Sequence, residues 1–198
     1  MNSFKYKKNH LFCEGVKVEE ICKNFSTPFY LYSSKTLINN YKLLHKMLNG
    51  NNFLIAYSVK ANSNLSVLKT FAKYGSGADV VSIGELKKAL KAGIANNKIV
   101  YSGVGKSTHE IAFALKNKIE QFNVESIEEL ETIAKIAEQI NTSANIALRV
   151  NPDISAGGHP KISTGKKTDK FGIPISEAKK VYELAKKIKR LKIVGIDI

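Results

Sequence analysis

The sequence has no apolar run close to the length of a membrane-spanning helix, and it contains few cysteines and few acidic residues. Because a spanning helix needs about 20 consecutive apolar residues, no membrane-spanning segment is predicted. The first residues, MNSFKYKKNHLFCEG, include lysines but neither a long apolar segment nor a small-residue cleavage site. We therefore expect a cytoplasmic protein without a secretory signal. With 43% hydrophobic residues among 198, the chain can form one core, or one domain plus part of another.

The two cysteines form no recognisable site. Cys13 and Cys22 are nine residues apart, make no CxxC motif and are followed by no histidine at zinc-ligand spacing. We expect two reduced thiols and no bound metal.

The shortage of acidic residues leaves a formal net charge of +14 and a pI of about 9.6. Such a balance is typical of nucleic-acid-binding proteins. Here, however, the lysines are spread along the chain, many of them on the polar faces of predicted helices, and no stacking aromatics are interleaved with them. We expect a solvated, lysine-rich surface that attracts anionic, phosphate-bearing ligands, and neither a nucleic-acid nor a membrane partner.

From residue 34 onward, segments with helical periodicity alternate with short apolar segments. The predicted helices cover residues 34–48, 65–74, 83–92, 107–118, 127–140 and 176–188. The predicted strands cover residues 53–61, 78–82, 99–102, 121–124, 144–150 and 192–198. Ser82 and Ser126 each stand three residues before a glutamate, as in capping boxes, and Gly75 and Gly93 follow helices. This alternation predicts a parallel sheet with helical crossovers.

The residues that follow the predicted strands favour a TIM barrel over a doubly wound open sheet. A doubly wound sheet usually has a glycine-rich turn after its first strand, whereas KANSN follows here. Polar residues instead end one strand after another: Lys60, Asp79, Ser82, Ser102, Glu125 and Arg149. In a TIM barrel such positions converge on one active site. We predict an α/β fold, a TIM (β/α)8-type barrel over residues 34–198 truncated after about six strands, with residues 1–33 as a separate segment.

The lysine that ends the first predicted strand is the first candidate site residue. In FLIAYSVKAN, residues 53–62, Leu54, Ala56, Ser58 and Lys60 share one face by strand parity. These neighbours are mostly small, so Lys60 is predicted to point into a barrel lumen that has room for a ligand. A lysine in that position pairs with an acid, binds a phosphate or acts as a nucleophile, and the residues alone leave these alternatives open.

Three further segments are candidates for binding. Arg149 lies on the inner face of its strand, where it holds an anionic group or forms an ion pair with a neighbouring strand-end acid. The stretch 101–107, YSGVGKS, matches the end of the Walker A motif, but Val100 stands where its first glycine belongs, so no nucleotide-triphosphate site is predicted. The basic, glycine-containing loop 156–172 is typical of a segment that closes over an anionic ligand, or of a flexible basic loop.

The candidate segments together resemble a known family. The matching blocks are AYSVKAN at 56–62, GADVVSIGEL at 77–86, VYSGVGKS at 100–107, FNVESIEEL at 122–130, LRVNPDI at 148–154 and HPKISTGKKTDKFGI at 159–173. They resemble the N-terminal half of the diaminopimelate decarboxylase family, which are pyridoxal-phosphate enzymes with an alanine-racemase-like barrel. The lysine block is shared with the ornithine, arginine and carboxynorspermidine decarboxylases, and the ISTGKKTDKFGI block is more specific to the diaminopimelate branch.

The resemblance implies roles for individual residues. Lys60 matches the lysine that forms a Schiff base with the cofactor, and Asp79 and Arg149 match positions that line the cofactor pocket. Glu85 opens the helix behind Asp79, and the loop from Thr164 to Lys170 matches a segment that closes over the active site. The implied function is decarboxylation of meso-diaminopimelate to L-lysine in lysine biosynthesis, with pyridoxal 5'-phosphate as cofactor, an amino-acid substrate and a homodimeric full-length enzyme.

The resemblance also implies that parts of the family's active site lie beyond this sequence. The ring-stacking histidine, the glycine-rich phosphate loop, the acid that pairs with the pyridine nitrogen and the C-terminal β domain would follow Ile198. We therefore expect this polypeptide alone to be inactive, to hold the cofactor poorly and to aggregate through exposed strand edges. In the same family, residues 1–33 pack against the C-terminal β domain, so FYLY at 29–32 would be a strand without its sheet here. Two alternative functions are a polyamine-pathway decarboxylase and a non-catalytic pyridoxal-phosphate-binding barrel protein.

Overall fold

The computed structural model describes residues 3–48, 52–154 and 171–198. Its N-terminal segment forms an antiparallel sheet of β1 (Phe4–Lys7), β2 (His10–Cys13) and β3 (Val16–Lys17), followed by helix α1 (Val18–Cys22). Sequence reasoning missed these elements. Residues 29–32, expected to be a strand without its sheet, pair with no strand in the described part of the chain.

Helices and strands alternate through the rest of the chain, as the periodicity predicted. The helices are α2 (Ser34–Met47), α3 (Leu65–Lys73), α4 (Ile83–Lys91), α5 (Thr108–Lys116), α6 (Ile127–Gln139) and α7 (Ile175–Lys186). The strands are β4 (Ala56–Ser58), β5 (Gly77–Val80), β6 (Ile99–Tyr101), β7 (Gln121–Val124), β8 (Ala144–Asn151), β9 (Ile173–Pro174) and β10 (Leu191–Asp197).

The order of the strands identifies the type of sheet. They lie side by side as β10-β8-β7-β6-β5-β4, all parallel, with the short β9 also paired to β8. Apart from β9, each new strand is added next to the previous one, whereas a doubly wound sheet reverses direction at a switch point. The predicted barrel-type α/β fold is confirmed.

Alternation along the strands separates a buried face from a lumenal face. The face under the helices carries large apolar side chains that are almost fully buried: Val80, Ile99, Tyr101, Phe122, Val124, Ile146 and Leu148. Leu68, Leu86, Ile111, Leu130 and Ile133 cover them from α3, α4, α5 and α6. Burial of each such side chain contributes roughly 1.5–3 kcal/mol. Their alternate neighbours on the strands, which are smaller or polar, face the lumen.

Side-chain caps define where the helices begin. Ser82 and Ser126 accept hydrogen bonds from the N–H groups of Glu85 and Glu129, so half of each predicted capping box is present. The complete box is at Ser107 and Glu110, where both reciprocal bonds form. The Glu85 carboxylate instead accepts from the Val81 N–H at 2.9 Å, and that of Glu129 binds Lys106.

Helix ends fix the connections on the opposite side. Gly75 and Gly93 follow the C-caps of α3 and α4 with φ of +86° and +90°, as their predicted C′ position requires. At the N-terminus of α2, Glu14 accepts bonds from the Ser33 hydroxyl at 2.7 Å and the Lys35 N–H at 2.8 Å. This carboxylate connects the N-terminal segment to the barrel-type part of the chain.

Candidate active site

Lys60 lies at the C-terminal edge of the sheet, but not as part of a strand. β4 is shorter than predicted and ends at Ser58, after which Val59–Ala61 form a single 3-10 turn. Strand parity does not extend through this turn, so the prediction that Lys60 continues the inward face of a strand is wrong. Val59 is fully buried, whereas Lys60 is exposed and forms no ion pair with any residue the structure describes. Its side-chain amine is therefore accessible at the edge where the strands end.

A row of hydrogen-bonded polar side chains crosses the lumen beside this turn. The Ser58 hydroxyl donates to Asp79 Oδ2 at 3.2 Å, and the Ser102 hydroxyl donates to Asp79 Oδ1 at 2.5 Å. Asn123 Nδ2 donates to Ser102 Oγ at 3.1 Å, and Gln121 Nε2 donates to Asn123 Oδ1 at 2.8 Å. We call these five residues the lumenal row. Both oxygens of Asp79 accept hydrogen bonds, which holds a carboxylate in one orientation inside the barrel.

Arg149 and two acidic residues form a second lumenal cluster. Arg149 Nη1 donates to Glu125 Oε1 at 2.7 Å, and its Nε lies 3.9 Å from Asp197 Oδ2. The Glu125 side chain is only 4% exposed, whereas that of Arg149 is 24% exposed. The strand-end ion pair that the sequence left open for Arg149 is therefore present. Burial raises the pKa of Asp197, Arg149 opposes that rise, and the nearby carboxylates of Glu125 and Asp79 add to it.

The far end of the predicted closing loop is attached to this cluster. Thr164 and Lys170, predicted to belong to that loop, lie outside the described residues. Immediately after them, the Phe171 ring lies 5.0 Å from the Arg149 guanidinium, and the Gly172 N–H donates to Glu125 Oε2 at 3.1 Å. Gly172 has φ +76°, and a Cβ there would lie 2.9 Å from the Arg149 carbonyl oxygen. The position requires glycine because the backbone both turns and passes close to β8.

Two hydrogen-bonded charged side chains were missed by sequence reasoning. Lys106, considered only for the rejected Walker A motif, has a side chain that is 1% exposed and donates to Glu129 Oε1 at 2.6 Å. Glu110 accepts bonds from the Ile83 N–H, the Tyr101 hydroxyl and the Ser107 N–H and hydroxyl. The S-x-x-E spacing of Ser107 and Glu110 was a readable signal for a capping box. No comparable pattern marks Lys106.

The pKa values around Glu110 follow from this arrangement. Burial raises the pKa of Glu110, but the bonds from Ile83, Ser107 and Tyr101 outweigh it and lower the pKa to about 2. Burial and the bond to Glu110 together raise the pKa of the Tyr101 phenol. Glu110 therefore stays ionised and ties β6 to the starts of α4 and α5.

A scan against family models finds one that covers most of the chain. Residues 34–198 match the model described as "Pyridoxal-dependent decarboxylase, pyridoxal binding domain". The chain belongs to the pyridoxal-dependent decarboxylase family. In this family pyridoxal phosphate is the cofactor. The side chains of Lys60, Asp79 and Arg149, at one edge of the sheet, can therefore be compared with the chemical groups of that cofactor.

The described residues fit that cofactor chemically. An aldehyde requires an accessible amine, which Lys60 provides. An anionic ring substituent requires a cation, and Arg149 places one in the lumen with more N–H donors than Glu125 and Asp197 engage. The lumenal side chain of Ala56, two residues before Ser58, is small and partly exposed. Within the described ranges, no group of three or more histidine, cysteine, aspartate or glutamate residues is arranged to hold a metal ion.

Curated relatives within the decarboxylase family match along the whole chain. The diaminopimelate decarboxylase of Haemophilus influenzae is 46% identical over 197 residues, which are 100% of this chain and 48% of the relative. That of Pseudomonas aeruginosa is 44% identical over 197 residues, again 48% of the relative. The chain thus spans about half the length of the curated relatives it matches.

Solved structures agree with this relationship. Diaminopimelate decarboxylase from Helicobacter pylori complexed with L-lysine is 47% identical, with a TM-score of 0.88 over 90% of this chain and 45% of that one. The enzyme from M. jannaschii in co-complex with L-lysine is 35% identical, with a TM-score of 0.89 over 98% and 47%. A lysine decarboxylase from Selenomonas ruminantium, at 22% identity and a TM-score of 0.79, shares the fold. In the part of this chain that the structure describes, no helix has the length and apolarity to cross a membrane.

Proposed function

We propose that this chain is the cofactor-lysine-bearing half of a diaminopimelate decarboxylase, which converts meso-diaminopimelate to L-lysine and CO2. The observation that carries the proposal is the accessible amine of Lys60, directly after the β4 end of the lumenal row and at the same edge of the sheet as Arg149, in a chain 44–46% identical to diaminopimelate decarboxylases throughout. The relatives' structures with L-lysine support the same product. A polyamine-pathway decarboxylase is less well supported, because the lysine decarboxylase match is only 22% identical.

Each residue has a task that its own chemistry allows. Lys60 would hold the cofactor aldehyde through its accessible side-chain amine. Asp79, held by Ser58 and Ser102, presents a fixed negative charge to the lumen. Arg149, held by Glu125, presents a cation to an anionic group of the cofactor or the substrate. When bound, pyridoxal phosphate supplies the electron sink for the pair of electrons that departing CO2 leaves behind.

The role of Lys60 can be tested without measuring activity. The chain is incubated with pyridoxal phosphate, reduced with borohydride and digested, and the modified lysine is located by mass spectrometry. We expect the label on Lys60 and its loss in Lys60→Ala. Lys69→Ala is the matched control, because Lys69 is an exposed lysine on α3 and its loss should leave the label unchanged. Labelling of another lysine at equal or higher yield would contradict the assignment.

The activity is tested in a chimaera in which this chain replaces the matching 48% of the Haemophilus influenzae relative. We expect CO2 and L-lysine from meso-diaminopimelate, and no comparable turnover of ornithine or arginine. Preference for those substrates would favour a polyamine-pathway decarboxylase. A folded chimaera that carries the cofactor on Lys60 but releases no CO2 would favour a non-catalytic cofactor-binding protein. Because this chain spans about half of its relatives, we expect it to bind the cofactor weakly and to release no CO2 by itself.

We further propose that the whole protein is a cytoplasmic homodimer in which residues 1–33 contact the part of the protein not represented in this chain. Exposed aromatic side chains support that contact, since Tyr30 is 91% exposed and Phe25 63%. Hydrogen exchange of residues 20–33 should slow in the chimaera relative to this chain, and light scattering gives the oligomeric state. Equal exchange in both, or a monomeric chimaera, would contradict the respective proposal.

A further inference from the structure

Lys106 is a buried ammonium group with three protein acceptors. Its Nζ donates to the Gly103 carbonyl at 2.7 Å, the Asn123 carbonyl at 2.8 Å and Glu129 Oε1 at 2.6 Å. An ammonium has three N–H donors, so these contacts use all of them. The side chain is 1% exposed, and that of its partner Glu129 is 10% exposed.

The three acceptors lie on three separate parts of the fold. Gly103 follows β6, Asn123 lies on β7, and Glu129 is in the first turn of α6. Gly103 has φ +89° and packs against Val81, which follows β5. Lys106 therefore joins the C-terminal ends of neighbouring strands at the mouth of the lumen.

Stability alone does not account for this ion pair. A buried pair loses the hydration of both charges, and apolar residues of similar volume often stabilise a protein as well or better. In agreement, burial raises the pKa of Glu129, although Lys106 opposes the rise. The distinctive feature of Lys106 is instead where it fixes the backbone.

The strand segment at Asn123 carries the supports of both Asp79 and Arg149, the two side chains proposed to face the cofactor. The Asn123 side chain supports Ser102, which donates to Asp79 Oδ1. Two residues further along the chain, the Glu125 carboxylate accepts a hydrogen bond from Arg149 Nη1 at 2.7 Å. A shift of the Asn123 backbone would therefore move the supports of Asp79 and of Arg149 together.

We propose that Lys106 is a positioning residue that sets the places of Asp79 and Arg149 in the lumen through the main chain of Asn123, without touching the cofactor. The expected effect on cofactor binding rests on the proposed function, whereas the positioning of Asp79 and Arg149 rests on the described hydrogen bonds. Lys106 then has two separate roles. Its bond to Glu129 compensates a buried charge, and its bond to the Asn123 carbonyl positions the site.

The two roles are separated by Lys106→Met and the double variant Lys106→Met, Glu129→Met. The single variant leaves the Glu129 carboxylate buried without its cation, so we expect a lower urea midpoint than in the parent chain. The double variant removes both charges and should recover most of that midpoint. Neither variant restores the bond to the Asn123 carbonyl. The matched control is Lys88→Met, which removes an exposed lysine bonded to the Ser63 hydroxyl.

Positioning is measured in the double variant by two readouts. The carboxyl ¹³C signal of Asp79 and the Nε signal of Arg149 should shift in this chain, and remain in place in Lys88→Met. In the chimaera, the dissociation constant for pyridoxal phosphate should rise by about tenfold, equivalent to about 1.4 kcal/mol, although the urea midpoint is recovered. Unmoved signals with recovered stability would overturn the proposal, whether or not the cofactor binds.

The outcomes also distinguish the two proposals. If the signals shift but the parent chimaera does not bind pyridoxal phosphate through Lys60, the positioning stands and the proposed function fails. If the parent binds through Lys60 and the double variant binds equally well with unmoved signals, the function stands and Lys106 is only structural.

Discussion

Glu110 connects three elements through one carboxylate, so its replacement by glutamine should weaken the fold in a pH-dependent way. Its Oε1 accepts from the Ile83 N–H at 2.9 Å and the Tyr101 hydroxyl at 3.0 Å, and its Oε2 accepts from the Ser107 N–H at 3.0 Å. In Glu110→Gln the NH2 that replaces one carboxylate oxygen cannot accept hydrogen bonds, so the donors on that side lose their partner.

The magnitude follows from the shifted pKa. A change from 4.5 to about 2 corresponds to roughly 3.4 kcal/mol at about 1.4 kcal/mol per unit. Because Glu110 is partly exposed, solvent screening reduces this to roughly half, about 1.5–2 kcal/mol. The same range is expected for hydrogen bonds to a charged group, about 1.5–3 kcal/mol.

The pH dependence has a defined sign. A carboxyl whose folded-state pKa is lowered stabilises the fold fully above its unfolded value, near 4.5, and loses that effect as pH falls toward 2. The stability difference between the parent chain and Glu110→Gln should therefore narrow by roughly 0.7 kcal/mol between about pH 7 and about pH 3.5. Urea unfolding followed by circular dichroism measures it, with the exposed Glu131→Gln as control. A difference below about 0.5 kcal/mol at pH 7, or one that does not change with pH, would refute the reasoning.

Three further predictions concern other parts of the chain. Gly77→Ala should lower the free energy of unfolding by about 1–3 kcal/mol, because its Cβ would lie 2.3 Å from the Lys98 carbonyl oxygen. Gly84→Ala, in the exposed first turn of α4, should raise the free energy of unfolding by up to about 1 kcal/mol, and equal effects of the two variants in urea unfolding would contradict this. Arg149→Met should lower the free energy of unfolding by about 3–5 kcal/mol, since it leaves the Glu125 carboxylate, 4% exposed, without its cation. Arg190→Met, whose partner Glu138 is 66% exposed, should change the urea midpoint little. Similar losses in the two variants would show that burial does not decide how much these ion pairs stabilise the fold. The chain alone should self-associate with rising concentration because Val194, Ile196 and Ile198 on or beside the outermost strand are exposed, and a monomer at high concentration in light scattering would count against it.

Much of the architecture could be predicted from local patterns. The six main helices and the strands Gln121–Val124, Ala144–Asn151 and Leu191–Asp197 lie within a few residues of their predicted bounds, since each has a clear apolar period, whereas the short β9 was not predicted. The first barrel strand was overextended, because an apolar run continues through Val59 although the chain has already turned there. The N-terminal antiparallel sheet was missed because its strands have only two to four residues each.

For the candidate site, the sequence predicted where three residues lie, but their roles are not yet tested. Sequence patterns placed Lys60, Asp79 and Arg149 at the ends of strands, and the structure brings these ends to one edge of a single parallel sheet. The predicted roles of the three residues stay predictions. Thr164 and Lys170 lie outside the described residues.

Local sequence determined the elements, their caps and the alternation that makes one face of each strand apolar, because these depend on neighbours within a few positions. Tertiary structure alone decided which charges are buried. Lys60 and Lys106 look alike in sequence, each near the end of a strand beside small residues. Lys60 is exposed, because the chain turns after Ser58, whereas Lys106 is enclosed by acceptors from Gly103, Asn123 and Glu129. Burial of a charge depends on groups far apart in the chain, and only the folded sheet brings them together.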